Sequence, residues 1–166
     1  MPKWAERAKR VMSSKGRTTF AVKSLQETVE QSNRIVDDIR FIMDSSGRKL
    51  TSRELSVELL TEVETFYRES AKDPNDKVIV LGIENFERLL AVLLGQWIAK
   101  ESGGKWVAYD GKHHVYDPVV VKLPNGKYLD VFLFCKHLCK KSGVPGASTG
   151  TSLTAFASQA QSMAFP

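Results

Sequence analysis

Residues 83–101 constrain the fold more than any other stretch. Ile83, Phe86, Leu90, Leu93, Leu94, Trp97 and Ile98 recur at helical spacing, and Leu89 and Ala91 widen the apolar face. A helix that is apolar over more than half its girth must be contacted on several sides, so it belongs at the centre of the domain. Gly103-Gly104 releases it, and the pattern then turns extended. Residues 105–109 read as a strand and Asp110-Gly111 as a turn. Residues 115–123 read as a second extended segment, whose Pro118 marks an edge or a bulge because proline cannot donate to a ladder. Asn125-Gly126, after Pro124, suits a two-residue hairpin loop, with 127–131 as the returning strand. From Phe132 the pattern is helical again, with Phe134, Cys135 and Leu138 inward and Lys136, Lys140 and Lys141 outward.

Upstream, residues 20–44 predict one long helix, because Val22, Leu25, Val29, Ser32, Val36, Ile39 and Met43 step by three and four. Ile35 and Ile42 widen that stripe towards globular packing, and Asp44 to Gly47 end the helix. Thr51 to Glu54 has the form of a capping box. The helix it opens buries Leu55, Leu59, Leu60, Val63, Phe66 and Tyr67 and shows an acidic face of Glu58, Glu62 and Glu69. The short link between these first two helices predicts an antiparallel pair. Residues 73–76 form a turn at Pro74, and residues 78–81 lean towards the start of the central helix. The expectation is therefore an α+β fold: antiparallel helices packed on a small three-stranded antiparallel sheet.

The 166 residues fit a single domain over 20–142, with a basic N-terminal arm at 1–19 and a flexible Ser/Ala-rich tail at 143–166. Residues 3–12 suit a short basic amphipathic helix carrying Trp4. In the tail, Leu153, Phe156, Ala160 and Met163 make a weak apolar stripe that either docks or stays unfolded until something binds it. No run is long and apolar enough to span a membrane, and no secretory leader is evident at the N-terminus. Two cysteines four residues apart make no disulfide framework, so the chain is expected in the cytoplasm. Net charge is +5, unevenly spread. Lys and Arg outnumber Asp and Glu seven to one over 1–23 and seven to three over 103–142, and are outnumbered ten to fifteen over 24–102. Such asymmetry fits either an anionic partner or two lobes that complement each other within the fold.

Leu94-Gly95-x-Trp97, Gly103-Gly104-x-Trp106, Asp117-Pro118-Val119-Val120, Leu123-Pro124-Asn125-Gly126 and Phe132 resemble a pattern of small bacterial domains of unknown function. In that pattern a helix ending in Gly-Gly leads into Trp, a Pro-Val strand, an Asn-Gly turn and a closing helix. The resemblance covers roughly a third of the chain and is structural in character. It implies a bacterial, cytoplasmic α+β module and brings no catalytic residue with it.

Three functional readings compete. Trp106, Tyr109, Tyr116 and Tyr128 with Lys105, Lys122 and Lys127 would give the sheet an aromatic surface rimmed by lysine, suited to a protein partner. Together with Lys112 and Lys136, the same residues resemble a base-stacking nucleic-acid surface, helped by the basic arm. Lysine on strand edges is also simple protection against aggregation. Thirdly, His113, His114, Cys135 and Cys139, with His137, offer zinc-ligand chemistry or a Cys–His pair, but lack a CxxC knuckle. Buried cysteine is more often plain packing. Asp110, Asp117 and Asp130 border the strands, where aspartates commonly bind local backbone rather than serve as acids or bases. No phosphate loop, nucleophile elbow or HExxH is present. The first reading is preferred: a non-enzymatic interaction module with no cofactor.

Overall fold

The computed structural model describes residues 14–70, 82–139 and 152–166. Residues 1–13 of the basic arm, the 73–76 turn with 78–81, and the linker at 143–151 lie outside these residues, whereas residues 14–19, expected in the arm, open the first helix. The architecture is α+β, as expected. In chain order come α1 (Ser14–Asn33), α2 (Ile35–Ser45), α3 (Val57–Ser70), α4 (Ile83–Ser102), β1 (Lys105–Ala108), β2 (Val119–Lys122), β3 (Tyr128–Leu129), α5 (Val131–Cys139), α6 (Leu153–Ser158) and α7 (Ala160–Met163). The three strands form an antiparallel sheet in the order β1-β2-β3.

Helix α4 is central. It packs against α1, α2, α3, α5, α6, β1 and β2. Phe86, Leu90 to Leu94 and Ile98 are all buried along it. It ends at Gly103, which takes the left-handed conformation at φ 74°. Gly95, in the middle of this helix, makes room for the sheet: a Cβ there would come within 2.1 Å of the Trp106 ring.

The long helix expected over 20–44 is two helices. A turn at Arg34 separates them, with the Arg34 N–H bonded back to the Gln31 carbonyl. Ser32 donates its hydroxyl to the Val29 carbonyl just before the break, a local competition that commonly bends helices. The buried stripe follows the expected one at Ser32, Ile35, Ile39 and Met43 and departs from it upstream. It runs through Thr28, Ser32, Ile35, Ile39 and Met43, while Val22 is 48% exposed and Val29 is also exposed. Thr28 is fully buried because its hydroxyl accepts a hydrogen bond from Arg88 Nη2 of α4 at 3.3 Å. A satisfied threonine can line a core where an unsatisfied one would cost stability, and an apolar-only pattern passes over it.

The entry to α3 also differs. Ser56, not Thr51, caps it, accepting from the Leu59 N–H at 3.2 Å. The Thr51 hydroxyl and the Thr51 and Ser52 N–H groups instead bind the Glu62 carboxylate in mid-helix. Arg48, just past α2, pairs with Glu69 near the far end of α3 at 2.8 Å and lies over the Phe66 ring. Residues 48–56 thus run back along α3 before it starts. The predicted buried face of α3 holds: Leu59, Leu60, Val63, Phe66 and Tyr67 are all buried.

The β2–β3 loop has three residues rather than two. The Gly126 N–H bonds the Leu123 carbonyl at 3.0 Å, and the Leu123 N–H bonds the Lys127 carbonyl at 2.8 Å. Gly126 sits at φ 83°, the left-handed position that follows a type I turn in a three-residue hairpin. Pro124 takes the first corner of that turn, where its fixed φ fits.

The closing stretch, read above as the second half of a flexible tail, is packed over residues 152–163. Of the two fates weighed for its apolar stripe, docking is the one seen for Leu153, Phe156 and Ala160, which are buried; Met163 is 46% exposed. The Leu153 N–H donates to the buried Glu64 carboxylate of α3, which also takes Arg68 Nε at 2.9 Å. Phe156 stacks on Phe134 of α5 at 4.1 Å.

Candidate interaction surface

Alternation along the strands sorts the candidate residues onto two faces. In register, Trp106 pairs with Val121 and Ala108 with Val119, and these four side chains share the inner face towards α4. Lys105, Val107 and Tyr109 point the other way. Lys105 pairs with Lys122, and Lys122 with Tyr128. Beyond β3, Tyr128 pairs with Phe165 through two backbone bonds, Tyr128 N–H to the Phe165 carbonyl at 2.7 Å and Phe165 N–H to the Tyr128 carbonyl at 2.9 Å. The outer face therefore carries one continuous row: Lys105, Lys122, Tyr128, Phe165.

Trp106 does not belong to this surface. It is buried at 9% exposure, lies against Gly95 and Phe132, and donates Nε1–H to Gln96 Oε1 at 3.2 Å. One residue of register separates it from Lys105 and Val107, and that places it in the core.

Tyr109 and Tyr128 do come together, edge to face at 5.0 Å between ring centres. Phe165 completes the cluster. It meets Tyr109 edge-on at 5.5 Å and stacks on the His113 ring at 4.1 Å and 17°. The Tyr109 hydroxyl accepts from the His113 N–H at 2.9 Å and donates to the Pro166 carbonyl at 3.4 Å. Lys122 Nζ lies 5.8 Å from the Tyr128 ring. Lys105 and Lys127 are exposed. Among the described residues none of Lys105, Lys122 and Lys127 pairs with a carboxylate. Two cationic strand residues directly opposite each other, Lys105 and Lys122, repel.

Tyr116 stands apart from the row, 52% exposed, with Lys136 Nζ 4.1 Å above its ring. Its N–H donates to Asp130 Oδ2 at 2.8 Å, while Asp130 Oδ1 caps α5 by accepting from the Leu133 N–H. Burial raises the Asp130 pKa above the usual carboxylate range, against the pull of those two bonds. Asp117 accepts from the Val119 N–H two residues on and lies 3.6 Å from Arg88 Nη1. Both aspartates are thus occupied by backbone and Arg88, and Asp110 is exposed on the turn.

The proposed metal ligands whose side chains are described, His113, His114 and Cys135, are not gathered. His113 is stacked on Phe165, His114 is exposed and Cys135 is buried in α5; the side chains of His137 and Cys139 lie outside the described residues. Among the described residues no three His, Cys, Asp or Glu side chains converge in a way that would hold a metal ion.

Sequence reasoning missed Phe165, although a lone aromatic beside proline at the close of a Ser/Ala-rich stretch was a visible signal. It also weighed His113 for metal chemistry without seeing its place in the aromatic cluster. Comparison with family models finds no match, and comparisons with curated proteins and with solved structures find none either. Among the described residues no helix is long and apolar enough to cross a membrane.

Proposed function

We propose that the chain is a cytoplasmic, non-enzymatic interaction module that binds an acidic protein segment through the outer face of its sheet. The observation that supports this most is the row Lys105–Lys122–Tyr128, where lysines without carboxylate partners lie beside an aromatic cluster. An acidic strand or loop would neutralise the lysines and lay apolar surface on the tyrosines. Charged contacts at such a rim set association rate and partner choice more than raw affinity.

The test is a titration of the purified chain with acidic, aromatic-containing peptides and, in parallel, with single-stranded oligonucleotides. Selective peptide binding that the double variant K105E/K122E abolishes supports the proposal. Tight oligonucleotide binding with a steep salt dependence, or peptide binding indifferent to that double variant, contradicts it.

A further inference from the structure

The outer face has a second feature that the lysines do not explain: its free strand edge is already occupied. Strand β3 is only two residues long, and its outer side would leave the Tyr128 N–H and carbonyl unpaired. Phe165 satisfies both. The ring of Phe165 fills a notch made by residues from three separate places in the chain: Tyr109 after β1, His113 on the following loop, and Tyr128 on β3. The Pro166 carbonyl is held by the Tyr109 hydroxyl. Backbone pairing to an open strand edge, plus one pocket for an alternate side chain, is the geometry by which sheets take up extended peptides.

We infer that the Tyr109/His113/Tyr128 notch and the β3 edge together form a peptide-docking groove for an extended segment bearing an aromatic residue, and that residues 164–166 are its internal occupant. The inference rests on the proposed outer-face function and specifies the partner: a segment that places an aromatic ring in the notch, pairs with Tyr128, and carries an acidic residue within reach of Lys122 on the neighbouring strand. The internal occupant is suited to displacement. It is held at this site by two backbone bonds, one hydroxyl contact and a single half-buried ring. The anchoring of the closing stretch lies elsewhere, at Leu153 and Phe156 on α3 and α5. Residues 164–166 can therefore leave while α6 stays docked. Because they are tethered, they compete at an effective concentration in the millimolar range, so a partner must outbid them or find them removed.

The experiment uses the full chain and a fluorescein-labelled peptide with the sequence of residues 160–166. Phe165→Pro removes both the ring and the N–H that pairs with Tyr128. Phe165→Ala is the milder companion, should the proline disturb α7. The expected result is at least about tenfold tighter peptide binding to either variant than to the unaltered chain, set by loss of the tethered competitor. Amide shifts should be confined to Tyr109, His113, Tyr128 and their neighbours. A peptide with its Phe replaced by Ala should not bind. Equal binding to variant and unaltered chain, or equal binding of the Ala peptide, overturns the inference. The outcomes separate from those of the lysine reading. Groove binding that survives K105E/K122E, with no response to acidic peptides, keeps the groove and removes the acidic partner. Acidic-peptide binding that ignores Phe165→Pro does the reverse.

Discussion

On the inner face of the sheet the Trp106 ring lies against Gly95, donates to Gln96 and meets Phe132, all on helices that pack directly on the strands. On the outer face the Tyr109 and Tyr128 rings meet Phe165, which arrives from the far end of the described chain and is fixed by two backbone bonds. Both faces are aromatic. The inner one is closed by α4 and α5, which cannot withdraw without dismantling the core. The outer one is covered at Val120, which is fully buried beside α1, and only its β3 edge is closed by three residues that can. The difference teaches that an aromatic cluster on a small sheet is core or contact surface according to what covers it.

Substitutions can break this contrast. The largest effect is expected at Trp106→Ala, a loss of about 3–5 kcal/mol in denaturant unfolding, as for other buried large aromatics; a loss under 1 kcal/mol would place Trp106 with the outer face after all. Next is Gly95→Ala. Helix propensity alone favours alanine by ~1 kcal/mol, yet the 2.1 Å approach of Trp106 forces a shift, and overpacking of this kind costs about 1–3 kcal/mol. A stabilised G95A variant would show that the ring is not pressed against the helix. Glu64→Ala strips the buried acceptor of the Leu153 N–H, a loss of about 1–3 kcal/mol, and should leave residues 153–163 open to limited proteolysis. On the outer face Phe165→Ala should cost no more than about 1 kcal/mol, the scale of one aromatic pairing.

The smallest effects are in pH dependence, and they oppose one another. Burial raises Asp130, so its charged form is disfavoured in the fold, and stability falls as pH rises from the unfolded-state pKa towards the folded one. For Glu62 burial also pushes upward, but the bonds from Thr51 and Ser52 together outweigh it and leave the carboxyl below its ordinary value. That contribution is present above the unfolded-state pKa and is lost as pH falls through the folded one. Relative to the unaltered chain, Asp130→Asn should therefore gain stability as pH rises through the carboxylate range, and Glu62→Gln should lose it. Unfolding curves at several acidic pH values check both; parallel, pH-independent offsets would contradict them.

Much of the architecture was legible because its signals are local. The central helix, the strand after Gly103-Gly104, the turn at Asn125-Gly126 and the closing helix at Phe132 each follow from spacing or turn chemistry. The misses share a cause, which is pairing over long sequence distance. Thr28 is core only because Arg88 reaches it. Thr51 fails to cap α3 because Glu62 takes its hydroxyl, and Ser56 replaces it. Strand alternation would have separated Trp106 from Tyr109 and Lys105, but residue type grouped them. Phe165 was passed over as a site residue because its partner, Tyr128, lies on the opposite side of a Gly- and Ser-rich linker.

Native-state hydrogen exchange tests the contrast between the two faces most directly. The Tyr128 N–H, bonded to the Phe165 carbonyl, should exchange through a local opening that is insensitive to low denaturant, while the Leu93 N–H in α4 should exchange only with global unfolding. Equal protection of the two amides, both tracking global stability, would mean that residues 164–166 are as fixed as the core and that the outer face is not a surface awaiting a partner.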